Sequence, residues 1–173
     1  MCAICNFKIE FSVGHRSALS VAVATRKAIE SGWVEPPGAV QGALAAARVR
    51  MASVEALNLL QARIEGAHGE EALLGLPDFY VLLIENDTWG FFHATMNGFD
   101  PDIVPEIPDV SATDEEKRSN IVVTSEVVLR GWLEGRLSTA RAIAESLLII
   151  DAPSAHVASL SRMFTAAERV ATG

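Results

Sequence analysis

The length, composition and charge of this chain favour one globular domain and exclude several classes of function. With 173 residues, half of them apolar, the chain can bury a core without metal or disulfide support. A formal charge of −8, with 14 scattered Lys and Arg, argues against nucleic-acid binding. No apolar run approaches the roughly 20 residues of a membrane-spanning helix, and no leader pattern opens the sequence. We therefore expect a cytoplasmic protein without membrane insertion, forming a single domain over residues 1–173.

The first third of that domain, residues 1–66, is predicted to hold one strand and two helices. Apolar and polar residues alternate without a fault over residues 6–13, which is typical of a half-buried strand. A helix is expected from Ser17 to Ser31, with Leu19, Val23 and Ile29 on its inner face.

A long alanine-rich helix is predicted over residues 39–65, with a possible bend near Ser53. Its apolar residues recur at spacings of three and four, and the stripe then shifts. The first stripe comprises Val40, Leu44, Ala47, Met51 and Val54, and the second Leu57, Leu60 and Ile64. The first stripe suits packing against a second copy of the chain, which predicts a homodimer, or packing onto the protein's own sheet.

The remainder, residues 67–173, is predicted to contain the sheet and its covering helices. A buried hairpin is expected from strands at 79–84 and 89–96, joined by turn residues. The stretch 100–116 carries three prolines and seven acids, so it is predicted to be a solvated loop. It lacks the acid ladder and central glycine of an EF-hand calcium loop.

The last third has a clear order of elements. A strand at 121–123 leads into a helix that ends at Gly135, a second helix runs from 139 to 145, an apolar strand covers 147–150, and Pro153 opens a final helix.

This order resembles the sterol carrier protein domain family. The resemblance is carried by VVTSEVVLRGWLEGRLSTARAIAESLLIIDAPSAHVASLSRMF, which contains a Leu-x-Gly-x-Leu turn at Leu133, Gly135 and Leu137 and ends at Met163 and Phe164. It implies an α+β fold with a twisted, mainly antiparallel sheet covered by helices on one face, to which this chain adds its long alanine-rich helix. It also implies that a lipid or another apolar small molecule is held between the two layers.

The residues that would form the walls of such a pocket are apolar or aromatic and come from the hairpin and the last third. They are Phe79, Val81, Leu83, Trp89, Phe91, Trp132, Leu147, Ile149, Met163 and Phe164. The alternative for each is an ordinary core position, because protein interiors normally close to crystal-like density.

Candidate chemistry lies only at the amino terminus, in a CxxC formed by Cys2 and Cys5. With His15 these thiols could hold zinc or iron, or act as a redox pair; otherwise they are reduced, and Cys5 is a small buried hydrophobe. The opening MCAI is also similar to the MCGI of class II glutamine amidotransferases, in which an amino-terminal cysteine is the nucleophile. No other catalytic motif is present.

We expect a binding protein rather than an enzyme. The alternatives are a metal- or thiol-dependent protein and a protein that docks a partner through its long helix.

Overall fold

The computed structural model describes residues 14–38, 41–100 and 106–169, which contain helices and strands in an α+β arrangement. The predicted strand at 6–13 lies outside the described residues. The helices are α1 (Ala18–Glu30), α2 (Ala45–Ala67), α3 (Glu70–Leu74), α4 (Glu126–Leu133), α5 (Thr139–Ala144) and α6 (Ser154–Glu168). The strands are β1 (Phe79–Leu83), β2 (Thr88–Phe92), β3 (Ala94–Thr95), β4 (Gly98–Phe99), β5 (Ile121–Thr124) and β6 (Leu148–Asp151).

Four of these strands form one open sheet in the order β2-β1-β5-β6. The outer pairs, β1 with β2 and β5 with β6, are antiparallel, and the central pair, β1 with β5, is parallel. The predicted α+β class and the predicted long helix are therefore confirmed. The parallel centre makes the sheet mixed.

The predicted hairpin forms β1 and β2, but its second strand is shorter than expected. Phe79 pairs with Phe92 at the open end, and Asp87 adopts a left-handed conformation, with φ of 49°, in the turn. The chain then leaves the sheet at His93, and β3 and β4 pair as a separate two-stranded ribbon. β2 is half-buried, so the prediction of two largely buried strands holds for β1 alone.

The last third follows the predicted order because its helix ends are encoded locally. The Ser125 hydroxyl accepts the backbone N–H of Val128 at the start of α4, and the Ser138 hydroxyl accepts that of Arg141 at the start of α5. Gly135 follows α4 with a φ of +75°, a conformation in which a side chain would be strained.

The main core lies on one face of the sheet, under α2, α4, α5 and α6. Phe79, Val81 and Leu83 point into it from β1, and Trp132 and Phe164 come from α4 and α6. The other face is partly covered by α1, whose Val21 and Ala22 contact a smaller cluster containing Leu82 and Val123.

The predicted inner face of α1 is wrong for two of its three residues. Leu19 and Val23 are 56% and 62% exposed, whereas Val21 and Ala28 are fully buried. Small side chains such as Ala28 let α1 approach the rest of the fold closely. Thr25 is also fully buried, and its hydroxyl donates to the Ser125 hydroxyl at 3.1 Å.

α2 is a single uninterrupted helix, fixed at its carboxyl-terminal half by close contacts with β2 of the sheet and with β4 of the ribbon. Gly90 of β2 lies directly under Leu57, since a Cβ at that glycine would approach the leucine Cδ1 to 3.2 Å. The Glu65 carboxylate accepts the backbone N–H of Phe99 at 2.8 Å. Within the described residues, no helix has the length and apolarity needed to cross a membrane.

Candidate functional site

The two apolar stripes of α2 have different environments. Leu60 and Ile64 of the second stripe are fully buried in the main core. In the first stripe, Leu44, Met51 and Val54 are 65%, 71% and 46% exposed. The stripes lie on different sides of the helix because the spacing shifts after Val54. Val40, the first residue of the predicted stripe, lies outside the described residues. The described part of the first stripe, from Leu44 to Val54, therefore covers none of the main core and is open to solvent.

We call this outer surface the α2 face. All of its members belong to α2 or to the turn that precedes it, so it is the open side of a helix and not a cleft between elements. They are Ala43, Leu44, Ala46, Ala47, Arg50, Met51, Val54, Glu55, Asn58 and Leu59.

The charged side chains on this face have few partners in the fold. Arg50 is exposed and forms no ion pair with another described residue. The Glu55 carboxylate lies 3.5 Å from Nη2 of Arg130, whose closer partner is Glu126 at 2.6 Å. A partner could therefore pair with Arg50 and Glu55 without breaking a strong internal contact.

The ten predicted wall residues do not lie around one space. Seven of them face the main core and are almost completely buried, and three lie on the other face of the sheet. The seven are Phe79, Val81, Leu83, Trp132, Leu147, Met163 and Phe164; the three are Trp89, Phe91 and Ile149.

Within the main core, aromatic side chains contact one another. Phe79 stacks on Phe92 with ring centroids 4.7 Å apart, and Trp132 meets Phe164 edge to face at 5.6 Å. The Trp132 indole donates to the Thr139 hydroxyl at 2.9 Å. These contacts pack the aromatic rings against one another and give the buried indole N–H a hydrogen-bond acceptor. The apolar ligand pocket between sheet and helices stays a prediction.

His15 and Asp151 form a polar cluster at the end of β6. His15 is buried; its Nδ1 accepts the backbone N–H of Ser17 at 3.0 Å, so Nε2 carries the hydrogen and donates to Asp151 at 2.9 Å. Burial lowers the pKa of His15, although the Asp151 carboxylate acts in the opposite direction. Arg16 and Arg118 also pair with Asp151, at 3.0 and 2.8 Å. The cluster ties the start of α1 to the sheet.

Of the three residues predicted to form a metal or thiol site, the structure describes only His15. Cys2 and Cys5 lie outside the described residues. Both ring nitrogens of His15 are engaged, so a metal there would have to displace Ser17 or Asp151. Among residues 14–38, 41–100 and 106–169, no three His, Cys, Asp or Glu side chains are grouped to hold a metal ion. A metal at Cys2, Cys5 and His15 stays a prediction.

A second polar network lies where β1 and β5 begin. His93 contacts Asp78 at 2.9 Å, His156 contacts Asn120 at 2.9 Å, and the Asn120 amide donates to the Asp78 carbonyl at 2.7 Å. The His93 and Asp78 side chains are 42% and 50% exposed. These bonds join the hairpin, β5 and α6, and the contact between His93 and Asp78 is open to solvent.

Glu85 is a sequestered carboxylic acid in the hairpin turn. Its Oε1 accepts the backbone N–H of Glu126 at 2.6 Å at the start of α4, while Oε2 is buried without a hydrogen-bond partner among the described residues. Burial raises the pKa of Glu85 to about 7, and the nearby Glu126 charge adds to this effect.

The sequence interpretation missed Glu85 and Asp151 as organising residues. Glu85 looked like an ordinary turn residue, and the partners of Asp151 lie up to 136 positions away in the sequence. The exposure of the first α2 stripe from Leu44 onward agrees with one of the two alternatives that the sequence allows, and the change of spacing between Val54 and Leu57 is the signal for it.

Comparison with protein-family models, curated proteins and solved structures finds no match to this chain. The resemblance to the sterol carrier protein domain family therefore stays a prediction.

Proposed function

We propose that this protein is an interaction module that docks an apolar protein surface onto the α2 face. One observation carries the proposal: Met51 and Val54 of α2, and Leu44 in the turn before it, are exposed along the same side. Single exposed apolar residues are normal on protein surfaces, but a contiguous stripe rimmed by charges is typical of an interaction site. Helices recognise partners through such stripes at spacings of three and four.

The fixed position of α2 supports this proposal. Leu57, Leu60 and Ile64 hold a different side of the helix in the main core. The exposed stripe lies on the same rigid helix, so docking would require little reorganisation. Each buried apolar Å² contributes about 25 cal/mol, so covering a stripe of this kind drives association.

Oxidation of methionine tests the proposal with a control that the chain itself supplies. Met51 on the α2 face and Met96 in the turn between β3 and β4 are 71% and 70% exposed. Peroxide should oxidise them at similar rates if the α2 face is free, because susceptibility follows exposure. If the face is docked, Met51 should react more slowly than Met96, measured by peptide mass mapping. Equal rates in concentrated purified protein and in cell extract would contradict the proposal.

Two other functions stay predictions. Binding of an apolar small molecule would be tested by native mass spectrometry of the purified protein. A metal- or thiol-dependent role would be tested by metal analysis before and after replacing Cys2 and Cys5 with serine.

A further inference from the structure

The order of residues on the α2 face has the period of a coiled coil. Leu44, Ala47, Met51, Val54 and Asn58 follow one another at spacings of three, four, three and four. In a heptad, Leu44, Met51 and Asn58 take the first core position (a), and Ala47 and Val54 the second (d). Arg50 and Glu55 then lie on opposite flanks of this seam, at positions g and e.

We propose that the occupant of the α2 face is the α2 face of a second copy, with the two helices parallel and in register. This inference rests on the proposed docking function and names its partner. In this arrangement Met51 meets Met51 of the second copy, and Val54 meets Val54, about a two-fold axis that runs along the seam.

The charges on the two flanks favour this register. In a parallel pair, position g of one helix lies beside position e of the next heptad on the other helix. Arg50 of each copy therefore meets Glu55 of the other, and the two-fold axis forms this ion pair twice. Within the described ranges of its own chain, Arg50 forms no ion pair, and Glu55 has only the 3.5 Å contact with Arg130.

Asn58 also favours the parallel arrangement. In register, the two Asn58 side chains meet each other at a core position, where each amide can donate to the other's carbonyl. In the antiparallel alternative about an axis between Met51 and Val54, Asn58 would face Ala47, which offers no side-chain partner. That alternative also places both Arg50 side chains on the same flank, where like charges repel.

The molar mass in solution tests self-association. Size-exclusion chromatography with light scattering should give twice the 18.5 kDa of the chain at high micromolar concentration, falling toward one chain on dilution. Met51→Glu should give a single-chain mass at every concentration. Met96→Glu, which introduces the same charge at an equally exposed methionine, should behave like the wild type. Circular dichroism of each variant confirms that the fold is retained.

Two further variants test the register. Arg50→Glu and Glu55→Arg should each weaken the dimer, and the double variant should restore it, because the charges are then exchanged. In a Cys2→Ser, Cys5→Ser background, Ala47→Cys should form a disulfide between copies on its own. In the antiparallel arrangement Ala47 lies about 16 Å along the axis from its own counterpart, beyond the reach of a disulfide, and would cross-link only when mixed with Asn58→Cys.

The outcomes separate this inference from the proposed function. A single-chain mass at all concentrations overturns the second copy, and oxidation of Met51 that is slower than that of Met96 in cell extract but not in purified protein would then still support docking by a different protein. Cross-linking only in the Ala47→Cys and Asn58→Cys mixture overturns the parallel register. Equal oxidation of Met51 and Met96 together with a single-chain mass overturns both proposals.

Discussion

Glu85 gives the most specific prediction about stability, because its carboxyl group is sequestered and one of its oxygens has no hydrogen-bond partner in the described part of the chain. Burial raises its pKa from 4.5 to about 7 in the folded protein. The folded state therefore binds the proton more tightly than the unfolded state, and the free energy of unfolding falls as pH rises from about 4.5 to about 7. A shift of this size corresponds to roughly 3 kcal/mol between the protonated and ionised forms.

Replacement by glutamine removes this dependence while keeping an acceptor for the backbone N–H of Glu126. Relative to the wild type, Glu85→Gln should gain roughly 3 kcal/mol of stability between pH 4.5 and 7.5. Urea unfolding at several pH values measures the difference. Glu71→Gln, which alters an exposed carboxylate on α3, is the control and should follow the wild type throughout. Parallel stability curves for Glu85→Gln and the wild type would refute the reasoning.

Two further predictions concern buried polar contacts. Thr139→Val keeps the side-chain volume but leaves the Trp132 indole N–H without an acceptor, and should lower the free energy of unfolding by about 1–3 kcal/mol. Thr165→Val removes a hydroxyl that donates to the Ser161 carbonyl within α6, and should be nearly neutral in the same denaturant titration. Asp151→Ala leaves the buried Nε2–H of His15 unpaired and should cost about 1–3 kcal/mol, whereas Asp78→Ala, at an exposed pair, should cost under about 1 kcal/mol. A loss at Asp151 no larger than at Asp78 would contradict the role of the His15 cluster.

The parts of the fold that the sequence predicts are those encoded by local signals. Ser125, Ser138 and Gly135 mark helix ends by their own chemistry, and the continuous apolar run from Phe79 followed by turn residues indicates β1 and its hairpin. These signals depend on neighbours within a few positions, so they can be recognised in the sequence without knowledge of the tertiary structure.

The parts that the sequence does not predict depend on distant contacts. The parallel pairing of β1 with β5 joins segments about forty residues apart, and no local pattern specifies it. The predicted inner face of α1 is wrong because Val21 and small residues such as Ala28, rather than Leu19 and Val23, face the protein. Periodicity ranks side chains by hydrophobicity, whereas a close helix contact selects for size.

The candidate site, too, is predicted in part by a local sequence pattern and in part only by the tertiary structure. The stripe through Met51 and Val54 was visible as a period, but only its exposure distinguishes a surface for a partner from a helix side that serves the protein's own core. The charges at Arg50 and Glu55 gain meaning only when that stripe is known to be open.

The rate of Met51 oxidation relative to Met96, measured in cell extract before purification, tests the central claim most directly. The two side chains are 71% and 70% exposed in the isolated fold, so exposure alone predicts a ratio close to one. A docked α2 face predicts that Met51 is protected while Met96 reacts freely, and that Val54→Glu removes the protection. A ratio near one in extract and in concentrated purified protein would contradict the account.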